Sequence, residues 1–167
     1  MKKFIQLTLL AALIPTLCLG EEHSSHQLKS ELTGTEALSP ELRELFSKEM
    51  VELQNGMKDI IPLYISGKMD EIAIIAAKME SSYVLKQNLS ESQMHELHSK
   101  LPDSFIALDQ EFHYLAGMLE HVAKEEKTEL VGFYISRMTE SCLGCHAEYA
   151  THKFPALAPK KQAEHSH

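Results

Sequence analysis

The sequence predicts an all-α chain, folded as an antiparallel four-helix bundle with a short extra helix between the second and third long helices. Three observations carry this. Apolar residues recur at three- and four-residue steps through four long segments. Glycine (7) and proline (6) are sparse in 167 residues and tryptophan is absent, leaving long stretches free of helix breakers. Capping signals stand at several of the segment ends.

The first twenty residues read as a secretory leader. Lys2 and Lys3 precede an apolar run from Phe4 to Leu19 that is too short for a stable membrane span. Cys18 and Gly20 place small residues three and one before a cut between Gly20 and Glu21, whereas bulky Leu17 disfavours lipid attachment at Cys18. Residues 21–38 mix charge, Ser, His, Thr and Gly without a period and read as a flexible arm. His23 and His26 fall in it, as solvated tail residues or a weak metal pair.

Ser39-Pro40-Glu41 starts the first long helix: a capping hydroxyl, a proline at the first helical position and an acid at the positive dipole end. Leu42, Phe46, Met50, Leu53, Met57 and Ile60 form its apolar stripe. Pro62 should kink or end it, with the turn at Ser66-Gly67. Met69, Ile72, Ala76, Met79 and Tyr83 continue the period through a second helix to about Lys86. Ser90-Glu91-Ser92-Gln93 is a capping box that opens the short connecting helix, which ends before Pro102. His95 and His98 share one side of it without a third ligand nearby and read as surface residues.

Pro102 opens the third long helix, striped by Phe105, Leu108, Phe112, Leu115, Leu119 and Val122. A polar turn at residues 124–127 follows. The fourth carries Val131, Ile135, Met138, Cys142, Cys145 and Tyr149 on one face. Beyond residue 154 the prolines forbid regular helix, and residues 155–167 read as a disordered tail. An up-down-up-down arrangement buries four such stripes most economically, within a domain spanning residues 39–154.

A 44% apolar fraction suffices for one ordinary core. Removing the leader takes away two lysines and no acid, lowering the formal net charge from -8 to -10. That acidity argues against nucleic acid and anionic lipid as partners, and no membrane association is expected once the leader is gone. It suits solubility or docking onto a basic protein surface. Cleavage also removes Cys18, so Cys142 and Cys145 are left as the cysteines of the processed chain, too close together to staple a fold.

Those two belong to Cys142-Leu143-Gly144-Cys145-His146, the attachment signature of c-type haem. Two thiols make thioethers to the vinyl groups and the adjacent imidazole ligates the iron. On a helix Cys142 and His146 are one turn apart with Cys145 between, so all three approach from one side. A structural zinc site wants four ligands. A thiol oxidoreductase wants its cysteine at a helix N-terminus, whereas this pair nears a C-terminus, where the dipole raises a thiol pKa. The reading is one covalent haem c in the periplasm. Beyond this site no catalytic constellation is present, so no enzyme is expected.

The segment Ser141-Cys142-Leu143-Gly144-Cys145-His146-Ala147-Glu148-Tyr149 resembles the C-terminal helix of the cytochrome c-prime family; commoner small single-haem cytochromes carry the motif near their N-terminus. The resemblance spans about Ser39 to Phe154 and, outside the motif and its following aromatic, rests on helix layout. It implies a four-helix bundle in the periplasm. It also implies one of two functions: electron transfer with redox partner proteins through a six-coordinate iron, or binding of a diatomic gas such as nitric oxide or carbon monoxide through a five-coordinate one. Pairing of two copies through the outer face of the bundle is a family-level implication.

In an up-down bundle the start of the first long helix shares an end with His146. Met50 and Met79 each lie roughly 15 Å of helical rise from that end. Met138 is too near the proximal side, Met57 and Met118 fall deeper or at the far end, and His113 and His121 run away from the site. Since the family's sixth ligand comes from its first helix, the resemblance favours Met50 beside His146 as the second metal ligand. If Arg43 matches the family's arginine near the haem propionates, the distal position moves to Ser47 with Phe46 beside it. Met50, Met79 or no protein ligand therefore stand as alternatives.

Overall fold

The computed structural model describes residues 34–85 and 89–159. Residues 1–33, read above as a leader and most of an arm, and the residues from 160 lie outside the described residues. Within them the chain is all helical, with no strand: α1 (Pro40–Ile65), α2 (Met69–Glu80), α3 (Glu91–Lys100), α4 (Asp103–Lys124) and α5 (Thr128–Tyr149), flanked by 3₁₀ turns at Gly34–Ala37 and Pro155–Leu157.

The capping signals act as their chemistry requires. Ser39 Oγ accepts from the Leu42 amide, and Pro40 takes the first turn of α1. The capping box at α3 is reciprocal: Gln93 N donates to Ser90 Oγ at 3.3 Å, and Ser90 N donates to Gln93 Oε1 at 3.0 Å. Pro62 does not end α1. The helix runs one further turn to Ile65, Ser66 Oγ donates to the Pro62 carbonyl, and Gly67 at φ +70° makes the turn.

The second helix departs from its expected end. Instead of running to about Lys86, α2 stops at Glu80, and Ser82 adopts φ +61°. The cause lies on α1: the Glu49 carboxylate accepts the amides of Tyr83 (3.0 Å), Val84 (2.6 Å) and Leu85 (3.2 Å). Three converging N–H donors on one buried anion hold the backbone out of the α2 ladder.

Packing follows the stripes. α2 lies along α4, where Ala73, Ala76, Ala116 and Ala123 are buried and let the backbones approach; α4 lies along α5, and α1 along α2. Gly56 marks the tightest place between α1 and α2, since a Cβ there would fall 2.4 Å from Met79 Cε and 2.9 Å from Tyr83 Oη. α1 meets α5 only sparingly, with Tyr64 Oη donating to the Thr128 carbonyl at 3.1 Å. Fully buried side chains such as Leu42, Ile60, Ile72, Leu119 and Val131 stabilise the fold by about 1.5–3 kcal/mol each. No helix among the described residues is long and apolar enough to cross a membrane.

Two expected boundaries move. The arm was expected to extend through residue 38, but Leu38 is buried beside Leu42, Leu97 and Phe105. At the other end, the tail expected to be structureless from residue 155 first makes the Pro155–Leu157 turn. At Leu38 an apolar side chain finds a surface to cover.

Candidate functional site

Cys142, Cys145 and His146 occupy the penultimate turns of α5. The stripe that buries Val131, Ile135 and Met138 continues into Cys142 and Cys145, which are half-buried free thiols. At their level the core divides in two. Cys142 packs against the larger cluster, which includes Leu53, Ile60, Met79, Phe112 and Met138. Cys145 packs with Tyr149 against the smaller one, formed by Leu38, Leu42, Leu97, Leu101 and Phe105. The division runs across the neighbouring helices: on α1, Phe46 joins the smaller cluster and Met50 the larger, with Glu49 between; on α4, Phe105 and Phe112 flank Asp109.

Electrostatics keep the thiols protonated. Burial pushes the Cys142 thiol up. Burial, with the negative charges of Asp109, Cys142 and Glu148, pushes Cys145 up to about 11. Neither is tuned as a thiolate nucleophile. His146 shifts the opposite way: burial, and then the positive charge of Lys153, hold its imidazole below the usual range, so a neutral ring with a free lone pair dominates at pH 7. After α5 the chain turns back on itself, Phe154 N donating to the Ala150 carbonyl at 2.9 Å, and the Phe154 ring stacks on His146. Tyr149 hydrogen-bonds Ser104 and meets Phe105 edge-on. On one turn of helix, the group offers two alkylatable thiols and one neutral nitrogen ligand.

The first-helix candidates separate by exposure. Met50 is half-buried against the cluster that Cys142 also touches, whereas Arg43 and Ser47 are exposed. Phe46 faces inward, its ring 5.7 Å from that of Phe105. Met79 is fully buried and interlocked with Gly56. Met138 is also fully buried, and Met57 is partly buried against the larger cluster. His113 Nδ1 donates to the Met79 carbonyl at 2.6 Å, with Nε2 turned toward Asp109 at 3.6 Å; His95, His98 and His121 are exposed. No group of three His, Cys, Asp or Glu side chains that could hold a metal ion occurs among the described residues.

Phe154, Asp109 and Glu49 escaped the sequence reading. Phe154 had a signal, because an aromatic residue placed just after a helix end and just before proline must turn and seek cover. Glu49 had one too: it lies four residues before Leu53 and seven after Leu42, on the apolar stripe itself. No family model, curated protein or solved structure matches this chain.

Proposed function

We propose that this chain is an exported, periplasmic c-type cytochrome that carries one covalently attached haem c and acts in electron transfer, with His146 and Met50 as the residues that would hold its iron. One observation carries the reading: Cys142 and Cys145 face inward one helical turn apart, on either side of a division in the core, with the neutral His146 imidazole beside them. The donor set fits the group. Each thioether would form by net addition of a thiol S–H across a vinyl C=C, sulfur bonding one carbon and the proton the other, and the raised thiols make the unassisted addition slow because little thiolate is present at pH 7. The sequence of helix contacts, α1 on α2, α2 on α4, α4 on α5 and a looser α5 on α1, supports the antiparallel four-helix reading with α3 as the extra helix. The leader at residues 1–20 supports export, and the acidity of the processed chain supports docking on basic redox partner proteins.

Haem c supplies a one-electron ferric/ferrous couple whose potential rises when a methionine sulfur completes the coordination. His146 would give the nitrogen, its ring plane set by Phe154. Met50 would give the sulfur from α1, where it packs against the cluster that Cys142 also touches. Two fixed ligands leave little to rearrange when the charge changes, which suits a carrier.

Phe46 supports a second reading. Its ring faces the cluster that Cys145 touches, and an apolar group there favours a five-coordinate iron that takes a neutral diatomic gas. The decisive experiment has two steps. Chromophore that stays on the chain through acid and organic solvent, with haem staining at the mature mass, is expected; extractable haem, or zinc alone, overturns the assignment. Absorption spectra of both oxidation states with and without carbon monoxide then separate the readings, since a low-spin iron closed to the gas is a carrier and a high-spin iron open to it is a trap.

A further inference from the structure

We propose that the cleft bounded by α3, α4 and the chain just after α2 binds a small organic ammonium ion with an apolar body. The cleft has a volume of about 390 Å³. Small-molecule sites run from roughly 300 to 1,000 Å³. None of Cys142, Cys145, His146 or Met50 lines the cleft, so the site does not rest on the haem reading.

Its two sides differ in chemistry. Leu85, Leu89, Met94 and Leu97 come from α3 and the chain before it, and Ile106 of α4 joins them. Leu97 is buried, but Leu85, Leu89 and Ile106 are half-buried and Met94 is exposed, which leaves apolar area for a ligand to cover. The polar side belongs to α4 and the end of α2, with Asp109, Gln110, His113 and Glu80. A Cβ on Gly117 would fall 2.6 Å from Glu80 Oε1, so this carboxylate lies on α4. Residues 109, 113 and 117 follow one another at four-residue steps along one helix face. Asp109 and the Glu80 carboxylate therefore flank His113, one turn to either side.

Charge selects the ligand. Two carboxylates line the cleft, and no lysine or arginine does so among the described residues. His113 commits Nδ1 to the Met79 carbonyl at 2.6 Å and turns Nε2 to Asp109 at 3.6 Å, beyond hydrogen-bond length, so Asp109 can accept from a ligand. An ammonium brings three N–H donors and the opposite charge, whereas an anionic ligand would meet like charge. The groups do not suit a bare metal ion, since no three His, Cys, Asp or Glu side chains among the described residues are placed to hold one. An organic ammonium needs acceptors at one end and apolar cover at the other, and the cleft has both.

The test is isothermal titration calorimetry of the purified chain, with whatever cofactor it carries, against a series of probes at low salt. Hexylammonium should bind at a single site. Affinity should rise roughly fourfold per methylene from butylammonium to hexylammonium as the tail covers the apolar side. 1-Hexanol should bind about tenfold more weakly or worse, and hexanoate should not bind. Asp109→Asn and Glu80→Gln should each weaken hexylammonium about tenfold. Met94→Trp should block it by filling the apolar side. Glu111→Gln, which changes an exposed carboxylate of α4 outside the cleft, should leave it unchanged and so separate the site from the general attraction of an acidic chain. No saturable binding of hexylammonium, equal binding of 1-hexanol or hexanoate, or binding that survives both Asp109→Asn and Glu80→Gln overturns the site. Each of these outcomes leaves the haem reading standing, because that reading is tested by the chromophore that stays on the chain.

Discussion

The imidazole of His146 lies flat on the ring of Phe154, centroids 4.5 Å apart and planes 15° apart. The contact joins the last helical turn to the segment after it and shields a ring already held below its usual pKa by burial. Phe154→Ala should cost the haem-free chain about 1 kcal/mol in urea unfolding. It should also raise the His146 pKa toward its ordinary value in an NMR titration. The sign follows from linkage. A folded imidazole held below its unfolded value gives stability that is complete above about pH 6.5 and is lost as pH falls through the folded pKa. Phe154→Ala should flatten that loss, and an unchanged His146 titration would show that the stack does not shield the ring.

Asp109 acts on the other side of the motif, where its charge adds to burial in pushing the Cys145 thiol up to about 11. In the haem-free chain at pH 8 this thiol should alkylate slowly with iodoacetamide, and the rate should climb until the pH approaches 11. Asp109→Asn should shift the profile to lower pH. Haem-loaded protein should not alkylate at Cys142 or Cys145 at any pH, because both sulfurs are then thioethers. A fast, pH-independent reaction at Cys145 in the folded haem-free chain would refute the buried placement.

Glu49 is 1% exposed and is the shared acceptor for the amides of Tyr83, Val84 and Leu85. Hydrogen bonds to a charged group are worth more than neutral ones, so Glu49→Ala should cost about 3 kcal/mol. Glu49→Gln keeps one oxygen and should lose about half as much. Urea denaturation measures both. Equal losses would mean that the oxygen glutamine keeps contributes nothing on its own.

These residues also show where sequence stops being legible. Ser39, Pro40, Ser90 and Gln93 announce helix ends through their own chemistry, and periods of three and four name Leu42, Leu53, Ile60, Phe112 and Met138 as core. Local patterns could not reveal that a carboxylate 34 to 36 residues earlier would gather three amides and end α2 at Glu80, because those bonds exist only once α1 packs on α2. The candidate site divides the same way. Adjacency in sequence places Cys142, Cys145 and His146 together, whereas the surroundings of Cys145 include Asp109 on another helix, and the stack on His146 needs a turn after the helix has ended.

Met50 decides between carrier and gas binder, and Met50→Leu tests it better than alanine does. Met50 is half-buried against the larger cluster, so leucine, similar in volume, should cost less than about 1.5 kcal/mol and leave the helix in place. It removes the sulfur while keeping the packing. If Met50 is the sixth ligand, the wild-type spectrum is low-spin, and Met50→Leu should turn it high-spin, admit carbon monoxide and lower the reduction potential. Met50→Ala should give the same spectral change with a larger loss of stability. A low-spin spectrum that survives Met50→Leu moves the assignment to Met79, where the substitution must also respect the Gly56 contact, 2.4 Å from a Cβ to Met79 Cε. A wild-type protein that is already high-spin and binds carbon monoxide removes both methionines from the iron. The five-coordinate reading then stands, with Phe46 as the apolar residue to change next.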